Sequence, residues 1–425
     1  MSTEPILASL FPDTTTLHDS GVSVGGVDLR ELAATYGTPL FVYDESTLRA
    51  RCREAASVFD QGVAFASKSF LCGAMARLAV EEGLCVDVAT GGELDIVHRS
   101  GVAPTSLIMH GNNKSDEEIE RAVSVGVHRL VVDNFDEIDL LRKYVTMSTP
   151  LHALVRVTPG VEAHTHEYVR TGQEDTKFGF SVASGDARRA INALLEIPGL
   201  TLHGVHAHIG SQIFEVDGFR ESMTILADFT CEDDFDELCV GGGLGVAYVA
   251  GESAPSISQW ADAVREAARE CGLRKDVRIL AEPGRSIVAQ AGLTLYTVGV
   301  VKPVTQRTYM AVDGGMSDNP RPVLYGSGYE AFDIDRPLAP RPQKVRLVGK
   351  HCESGDVLID DAFLPAATGP GSTIATPVTG AYGYSMASNY NRVPRPAVVF
   401  VRDGEAREVL RRETFDDLAR LEVER

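Results

Sequence analysis

Lys68, at the end of an apolar segment, is a residue whose amine could take part in catalysis. The segment VAFASK has the composition of a buried strand and ends in Lys68. A lysine whose pKa is lowered by its surroundings can form a Schiff base with an aldehyde cofactor. The alternative is a lysine at the edge of the fold whose amine extends into solvent. Lys68 alone does not decide between these two roles.

Two glycine-containing segments have the composition of a phosphate site. Gly241, Gly242 and Gly243 follow one predicted strand, and Gly284 with Arg285 follows the next. In a closed barrel the loops after the last two strands commonly bind phosphate through backbone N–H groups. Tight turns that need positive φ would explain the glycines as well. Two such loops in succession favour a phosphate-bearing ligand, and the pattern is not the G-x-G-x-x-G of nicotinamide cofactor sites.

A carboxylate and a histidine accompany these loops. Glu282 ends the segment ILAE and could keep a ring nitrogen protonated, which makes an aromatic cofactor an electron sink. The alternative is that Glu282 is the partner of Arg285 or of another cation at the rim. His208 could lie flat against an aromatic ring, but His203 and His206 are so near in the sequence that a histidine of the core is an alternative.

Three further candidates lie near the C-terminus. Arg321 and Tyr325 form an Arg–Tyr pair of a kind that can hold a carboxylate. Cys352 is flanked by charged residues, so we expect it to be partly exposed and able to act as an acid or base. A surface ion pair or a packed turn is the alternative for each of them.

A polar stretch from Val161 to Gly179 contains His164, His166 and Glu167. These three residues could suggest a metal site, but no fourth ligand is evident. We therefore predict no metal and a mobile active-site loop.

The sequence pattern predicts alternating strands and helices, and this scaffold must bring the candidate residues together. Ser115 and Glu118 have the spacing of a capping box at the start of one of these helices. Eight strands are predicted, at 63–68, 85–90, 107–111, 129–134, 152–160, 202–211, 237–243 and 278–285. An open doubly wound sheet has the same alternation. Because nearly every strand ends in a polar or glycine-rich cluster, we favour a closed barrel, in which those ends converge on one rim.

The predicted organisation is an α/β fold with a second, all-β domain. The (β/α)8 barrel is predicted over residues 43–287 and the β domain over 288–425, where strand-like runs are separated by Pro- and Gly-rich turns without intervening helices. Residues 1–42 do not resemble a barrel segment, and we expect them to pack with the β domain.

The amino-acid composition limits the classes of protein to which the chain could belong. The chain has 425 residues, of which 44% are apolar and 24% charged, as in a soluble globular protein of two domains. Its formal net charge of −20 argues against nucleic acid as a partner. The seven cysteines form no C-x-x-C pair, and we predict neither a signal peptide nor a membrane-spanning segment. We predict a cytoplasmic protein with free thiols.

Taken together, the motifs resemble those of the diaminopimelate decarboxylases, which are fold-type III pyridoxal-phosphate enzymes. The resemblance covers nearly the whole chain and preserves the family's order of motifs. FASK differs slightly from the commoner tyrosine–alanine form, at Phe65 and Ser67. The motifs that carry the resemblance are FASK, HGNNKS, HIGSQ, GGGLG, EPGR, DGGMSDNPRP, CESGD and GAYGYSMASNYN.

This resemblance implies a cofactor and the residues that bind it. Lys68 would hold pyridoxal 5′-phosphate covalently, His208 would stack on its ring, and Glu282 would contact the ring nitrogen. The residues that would surround the phosphate are Ser211, Gly241, Gly242, Gly243, Gly284, Arg285 and Tyr382.

The resemblance also implies a substrate, an assembly and a reaction. Cys352 would protonate Cα, and Cys352 and Glu353 would come from the neighbouring subunit of a homodimer. The reaction would convert meso-2,6-diaminopimelate to L-lysine and CO2, the last step of lysine biosynthesis. The residues that would bind the substrate are Arg285, Arg321, Tyr325, Glu353 and Tyr382.

Three alternatives remain at this point. They are a related decarboxylase acting on another amino acid, an amino-acid racemase, and a non-catalytic protein that binds the cofactor. The retained RPVLY and CES motifs argue against the first. The retained β domain with Cys352 argues against the third.

Overall fold

The computed structural model describes residues 9–19, 21–161 and 176–423. The chain divides into two compact units. The barrel unit comprises Arg51–Val246 and Ala254–Ser286, and the sheet unit comprises Met1–Ala50, Ala247–Ser253 and Ile287–Arg425. Within the described ranges, no helix is both long and apolar enough to cross a bilayer. The domain boundaries predicted after residues 42 and 287 stay predictions.

Short elements precede the barrel in the chain. The strands are β1 (Thr16–His18), β2 (Gly21–Val24), β3 (Val27–Asp28) and β4 (Leu40–Asp44). The helices are α1 (Leu29–Tyr36), whose first turn is capped by Asp28, and α2 (Glu45–Val58). The strands β1, β2 and β3 form a small antiparallel sheet.

The barrel unit is built on eight parallel strands that are neighbours in chain order. The short strand β10 (Phe180–Ser181) pairs with β9 outside this series of eight strands. The eight strands are β5 (Ala64–Ala66), β6 (Cys85–Val88), β7 (Leu107–Met109), β8 (Arg129–Val132), β9 (Leu151–Thr158), β11 (Leu200–His206), β12 (Glu237–Cys239) and β13 (Arg278–Leu280).

Hydrogen bonds between the first and last strands close this sheet. The N–H of Ala64 donates to the carbonyl of Ala281 at 3.0 Å, and the N–H of Ala66 donates to that of Pro283 at 3.1 Å. The closed barrel predicted from the polar strand ends is confirmed, and the open doubly wound sheet is excluded. Small and branched side chains from six of these strands form one buried cluster, namely Ala64, Ile108, Val131, Leu154, Cys239 and Leu280.

Helices follow the barrel strands. The helix α5 has the predicted capping box, in which the Ser115 side chain accepts from the N–H of Glu118 and the Glu118 side chain accepts from that of Ser115. The helices are α3 (Gly73–Glu81), α4 (Gly91–Arg99), α5 (Asp116–Val125), α6 (Phe135–Tyr144), α7 (Asp186–Leu195), α8 (Asp217–Phe229), α9 (Ile257–Glu270) and α10 (Arg285–Val288).

The sheet unit contains one large mixed sheet, in which β4 lies between β14 and β20. Its core includes Leu40, Val42, Leu293, Leu295 and Val399. Two short helices, α11 (Arg321–Tyr325) and α12 (Phe415–Ala419), interrupt a region that the sequence predicted to be without helices. The remaining strands are β14 (Gly292–Pro303), β15 (Thr308–Val312), β16 (Phe332–Asp333), β17 (Gln343–Val348), β18 (Val357–Leu364), β19 (Thr373–Pro377), β20 (Ala397–Arg402) and β21 (Glu405–Leu410).

Candidate active site

Lys68 lies on a turn that follows the first barrel strand. The strand β5 ends at Ala66, and Ser67–Ser69 form a 3-10 turn, so the predicted strand to Lys68 is two residues too long. Ser67 and Ser69 are buried, whereas Lys68 is exposed. The turn presents the amine of Lys68 at the carboxyl end of the barrel.

The loop after the last strand packs directly on this turn. A Cβ at Gly284 would lie 2.9 Å from the Cβ of Ala66 and 3.1 Å from Oγ of Ser69. Such spacing leaves no room for a side chain, so this close approach requires glycine. The EPGR motif is thereby fixed beside Lys68.

Barrel closure makes the predicted cofactor residues neighbours. The strands β11, β12, β13 and β5 are consecutive around the closed barrel. His208 and Ser211 follow β11, the glycines 241–243 follow β12, Glu282 and Arg285 follow β13, and Lys68 follows β5. The structure therefore brings these side chains together on the rim formed by the carboxyl ends of the strands.

Glu282 lies buried between two imidazoles. Its Oε1 is 2.9 Å from Nε2 of His110, and its Oε2 is 2.9 Å from Nε2 of His206. Burial acts to raise the pKa of Glu282, but the two imidazoles outweigh it and hold this pKa well below its usual value. Glu282 is therefore a carboxylate. Among the described residues its partners are the two imidazoles and the Cys239 thiol, which donates to Oε1 at 3.6 Å, and not the Arg285 guanidinium.

A second buried carboxylate lies in the same cluster. Asp87 Oδ1 is 3.9 Å from Nε2 of His110, and burial raises the pKa of Asp87 while His110 and Lys68 oppose the rise. Burial would lower the pKa of His110, but Asp87 and Glu282 outweigh it and raise this pKa. We call Asp87, His110, His206 and Glu282 the rim cluster. The HGNNKS motif contains His110, but no role was predicted from the sequence for Asp87, His110 or His206.

His208 is held by the glycine loop. Its Nδ1 accepts the N–H of Gly242 at 3.2 Å. Burial, followed by the positive charges of Lys68 and Arg156, lowers the pKa of His208 well below its usual value. The ring is therefore a neutral imidazole with a fixed tautomer, as a stacking residue needs.

The groups suited to a phosphate also lie at this rim. The Nη2 of buried Arg285 donates to Oγ of Ser211 at 2.9 Å. Gly241 and Gly243 have φ of +68° and +120°, and a Cβ at Gly242 would collide with the carbonyl oxygen of Glu282. An amine, a carboxylate, a neutral imidazole and phosphate donors are thus present together, and this set fits pyridoxal 5′-phosphate.

The other predicted residues lie in the sheet unit. Arg321 begins α11 and Tyr325 ends it, so the two lie four residues apart on one helix face. Arg321 is buried, donates to the hydroxyls of Tyr329 at 2.8 Å and Ser327 at 3.1 Å, and lies 4.1 Å from the ring centre of Tyr248. None of these three partners could be identified from the sequence.

Cys352 and Glu353 lie in the loop between β17 and β18, and both are exposed. Tyr382 has a left-handed φ of 57°, an uncommon conformation for a residue with a side chain that tends to occur at functional sites. His164, His166 and Glu167 lie outside the described residues, as does most of the predicted loop from Val161 to Gly179.

Comparison with known proteins gives consistent results. Residues 45–289 match the family model described as pyridoxal-dependent decarboxylase, pyridoxal binding domain. The chain is 45% identical to a diaminopimelate decarboxylase from Mycobacterium tuberculosis over 98% of each sequence. It is 45% identical to one from Halalkalibacterium halodurans over 97% of this chain and 98% of that relative. The crystal structure of diaminopimelate decarboxylase from M. jannaschii in co-complex with L-lysine is similar, with a TM-score of 0.90 and 31% identity over 98% of this chain and 99% of that one.

Proposed function

The chain belongs to the diaminopimelate decarboxylase family, and from this premise we propose that it converts meso-2,6-diaminopimelate to L-lysine and CO2. It is a pyridoxal-phosphate-dependent decarboxylase, and its reaction is the last step of lysine biosynthesis. The roles of individual residues are the finer part of this proposal.

The rim residues would hold the cofactor. Lys68 would bind it covalently, His208 would lie on its ring, and Glu282 would pair with its ring nitrogen. When bound, the cofactor accepts the electron pair of the breaking Cα–carboxylate bond. The residues around the phosphate would be Ser211, Gly241, Gly242, Gly243, Gly284, Arg285 and Tyr382.

A buried cation without an acidic partner carries the proposal for the substrate. In the described part of the chain, no carboxylate lies within 4.0 Å of the Arg321 guanidinium, whose hydrogen-bond partners are neutral hydroxyls. A buried charge is costly unless it is paired, so a carboxylate on the substrate would complete this site. Diaminopimelate has a distal carboxylate, whereas lysine and ornithine do not. Arg321 with Tyr325 would therefore select the substrate.

Glu353 and Cys352 would complete the reaction. Glu353 would bind the distal ammonium group, and Arg285 and Tyr382 would also contact the substrate. After CO2 leaves, the Cys352 thiol would give its proton to Cα and then regain one from water. Both loop residues would come from the neighbouring subunit, so each active site would need two chains.

A substrate panel tests the proposed reaction. The purified protein with pyridoxal 5′-phosphate should release CO2 from meso-diaminopimelate and form L-lysine. Activity on L-lysine, L-ornithine and L-arginine should be far weaker. Comparable turnover of ornithine would contradict the proposed substrate, loss of substrate chirality without CO2 would indicate a racemase, and binding of the cofactor without turnover would indicate a non-catalytic protein.

The role of Arg321 can be tested separately. Arg321→Met should lower kcat/KM for diaminopimelate by about 100-fold, since truncating one partner of a buried charge pair costs about 2–5 kcal/mol. The matched control is Arg346→Met in the same unit, because Arg346 pairs with the exposed Asp360 at 2.6 Å. An equal loss in both variants would mean that Arg321 acts on the fold and not on the substrate.

Subunit mixing tests the proposed homodimer. Lys68→Ala and Cys352→Ala proteins, each nearly inactive alone, should recover about a quarter of the wild-type activity after dissociation and random reassociation. Half of the dimers would then be mixed, and one of their two sites would carry both native residues. No recovery would mean that each chain builds its own site. The cytoplasmic location stays a prediction.

A further inference from the structure

The loop that carries Cys352 is organised around one buried carboxylate. Asp356 accepts the N–H of His351 at 2.8 Å through Oδ2 and the N–H of Met316 at 2.7 Å through Oδ1. A Cβ at Gly315 would lie 2.6 Å from both carboxylate oxygens, and one at Gly349 would collide with Oδ2 of the same carboxylate. Asp356 therefore fixes the backbone directly before Cys352.

A series of side-chain hydrogen bonds, which we call the relay, connects this point to the backbone of Cys352. The imidazole of His351 is buried, and its Nε2 lies 2.8 Å from Oγ of Ser317. Its Nδ1 lies 3.3 Å from Oδ1 of Asn391, and the same oxygen accepts the N–H of Cys352 at 3.2 Å. Asn391 has a left-handed φ of 51° and is exposed. Ser317, His351 and Asn391 thus join three separate sequence segments at the cysteine.

We propose that His351 and Asn391 are positioning residues that hold Cys352 in place for proton transfer to Cα. The inference rests on the acid role of Cys352 in the proposed function. The thiol belongs to an exposed residue on a loop, and its Cα–Cβ direction follows from the backbone at 352. The oxygen of Asn391 fixes that backbone, and His351 fixes the oxygen.

A purely structural role is the alternative. Asp356 is buried and binds two N–H groups, so its loss is expected to affect folding. Asn391 is different because it is exposed and contributes one oxygen to the relay. Its substitution therefore separates the position of Cys352 from the stability of the unit.

The matched variants are Asn391→Gly and Asn391→Asp. Glycine tolerates the left-handed φ and removes the oxygen, whereas aspartate also tolerates this φ and retains an oxygen in its place. In the holoenzyme, Asn391→Gly should lower kcat for diaminopimelate by about tenfold and leave KM within about twofold, since small misplacements of a catalytic group reduce the rate. Asn391→Asp should keep most of the activity, and Lys350→Ala, at an exposed residue of the same loop, should keep all of it.

A double-mutant cycle shows whether the effect acts through the thiol. Cys352→Ala should lower kcat by about 100-fold or more. Adding Asn391→Gly to Cys352→Ala should lower it no further, because the group being positioned is already gone. Equal losses from Asn391→Gly in both backgrounds would mean a structural effect and would overturn the inference.

The histidine gives an independent variant. The amide of asparagine can replace Nδ1 of an imidazole and that of glutamine can replace Nε2, so His351→Asn should retain more activity than His351→Gln. The reverse order would contradict a relay through Asn391. Full turnover of Cys352→Ala would refute the proposed acid itself. Loss of turnover in Cys352→Ala with no effect of Asn391→Gly would refute the positioning role alone.

Discussion

The two ends of the barrel both hold histidines beside carboxylates, but the partners of those carboxylates differ. At the amino ends of the strands, the buried carboxylate of Glu237 accepts two hydrogen bonds from Arg129. Nε of Arg129 donates at 3.0 Å and Nη2 of Arg129 at 2.6 Å. Arg278 contacts Glu237 and lies 3.2 Å from Oδ2 of Asp236, whose Oδ1 is 2.8 Å from Nδ1 of His203. We call these five residues the base cluster.

Among the described residues, no guanidinium contacts the central carboxylate of the rim cluster. The imidazoles of His110 and His206 contact Glu282, and an imidazole can gain or lose its proton where a guanidinium cannot. Guanidinium groups at the base stay charged and fix the carboxylates permanently. We infer that the base cluster stabilises the fold, whereas the rim cluster contains groups that can exchange protons. This is the division expected for the two faces of such a barrel.

The largest expected effect is at the rim. Lys68→Ala should reduce turnover by more than about 1,000-fold, because the proposed function makes this amine the group that binds the cofactor covalently. The melting temperature of the protein without cofactor should change little, since Lys68 is exposed. The control is Lys275→Ala, also exposed, which should alter neither quantity. Turnover measured with saturating cofactor decides the point, and a residual rate above about a tenth of the wild type would contradict the proposal.

Much of this rim could be predicted from the sequence because its signals are local. Strand length, the Ser115–Glu118 capping box and glycines at turns depend on neighbours in the chain. Lys68, Glu282 and Arg285 could be found for the same reason, since each follows an apolar strand. The predicted end of β5 was wrong because nothing in the sequence marks the change from the strand to the 3-10 turn that begins at Ser67.

The partners within each cluster could not be predicted, since they depend on packing across the barrel. His206 and Glu282 are 76 residues apart, and Arg129 and Glu237 are 108 apart. The sequence suggested Arg285 for Glu282 because it is near in the chain, yet side-chain direction in the closed barrel selects His110 and His206. Similarly, Tyr329 and Tyr248 around Arg321 belong to loops for which no periodic pattern exists.

The second largest effect is expected at the base, in stability. Glu237→Gln should lower the free energy of unfolding by about 3 kcal/mol, because it leaves Arg129 without its buried counter-ion. Turnover per folded molecule should remain within about twofold of the wild type. Urea unfolding with an activity assay measures both quantities. Glu266→Gln is the control, because Glu266 is exposed and its pair with Arg220 should contribute less than about 1 kcal/mol. A large loss of turnover would show that the base also serves catalysis.

The third prediction concerns the imidazoles of the rim. His110→Asn should lower kcat/KM by about tenfold and weaken cofactor binding, because Glu282 loses one of the two groups that hold it. Since the pKa of His110 is raised, wild-type activity should fall as pH rises through that pKa, and the variant should lack this basic limb. His203→Asn is the matched control, because His203 contacts a carboxylate at the base. An unchanged pH profile in His110→Asn would separate His110 from Glu282.

The smallest expected effect concerns the pH dependence of stability, which should have opposite signs for a histidine at the base and a histidine at the rim. Burial and Arg129 lower the pKa of His128, at the base, to about 4. Because this folded-state pKa lies below the unfolded value of about 6.5, the folded protein should lose stability as pH falls from about 6.5 to about 4. His110 at the rim should do the opposite, since its stabilising effect is present below about 6.5 and is lost as pH rises through its folded-state pKa.

His128→Asn should therefore stabilise the protein at pH 5 relative to pH 7.5, by on the order of 1 kcal/mol or about 2 °C in melting temperature. An asparagine cannot take up the proton that the buried histidine resists. Thermal unfolding of wild type and variant at the two pH values measures this difference. A gain of equal size at both values would mean that the substitution acts through packing. A gain at pH 7.5 alone would contradict the assigned direction of the His128 pKa and remove the contrast in sign between the two ends of the barrel.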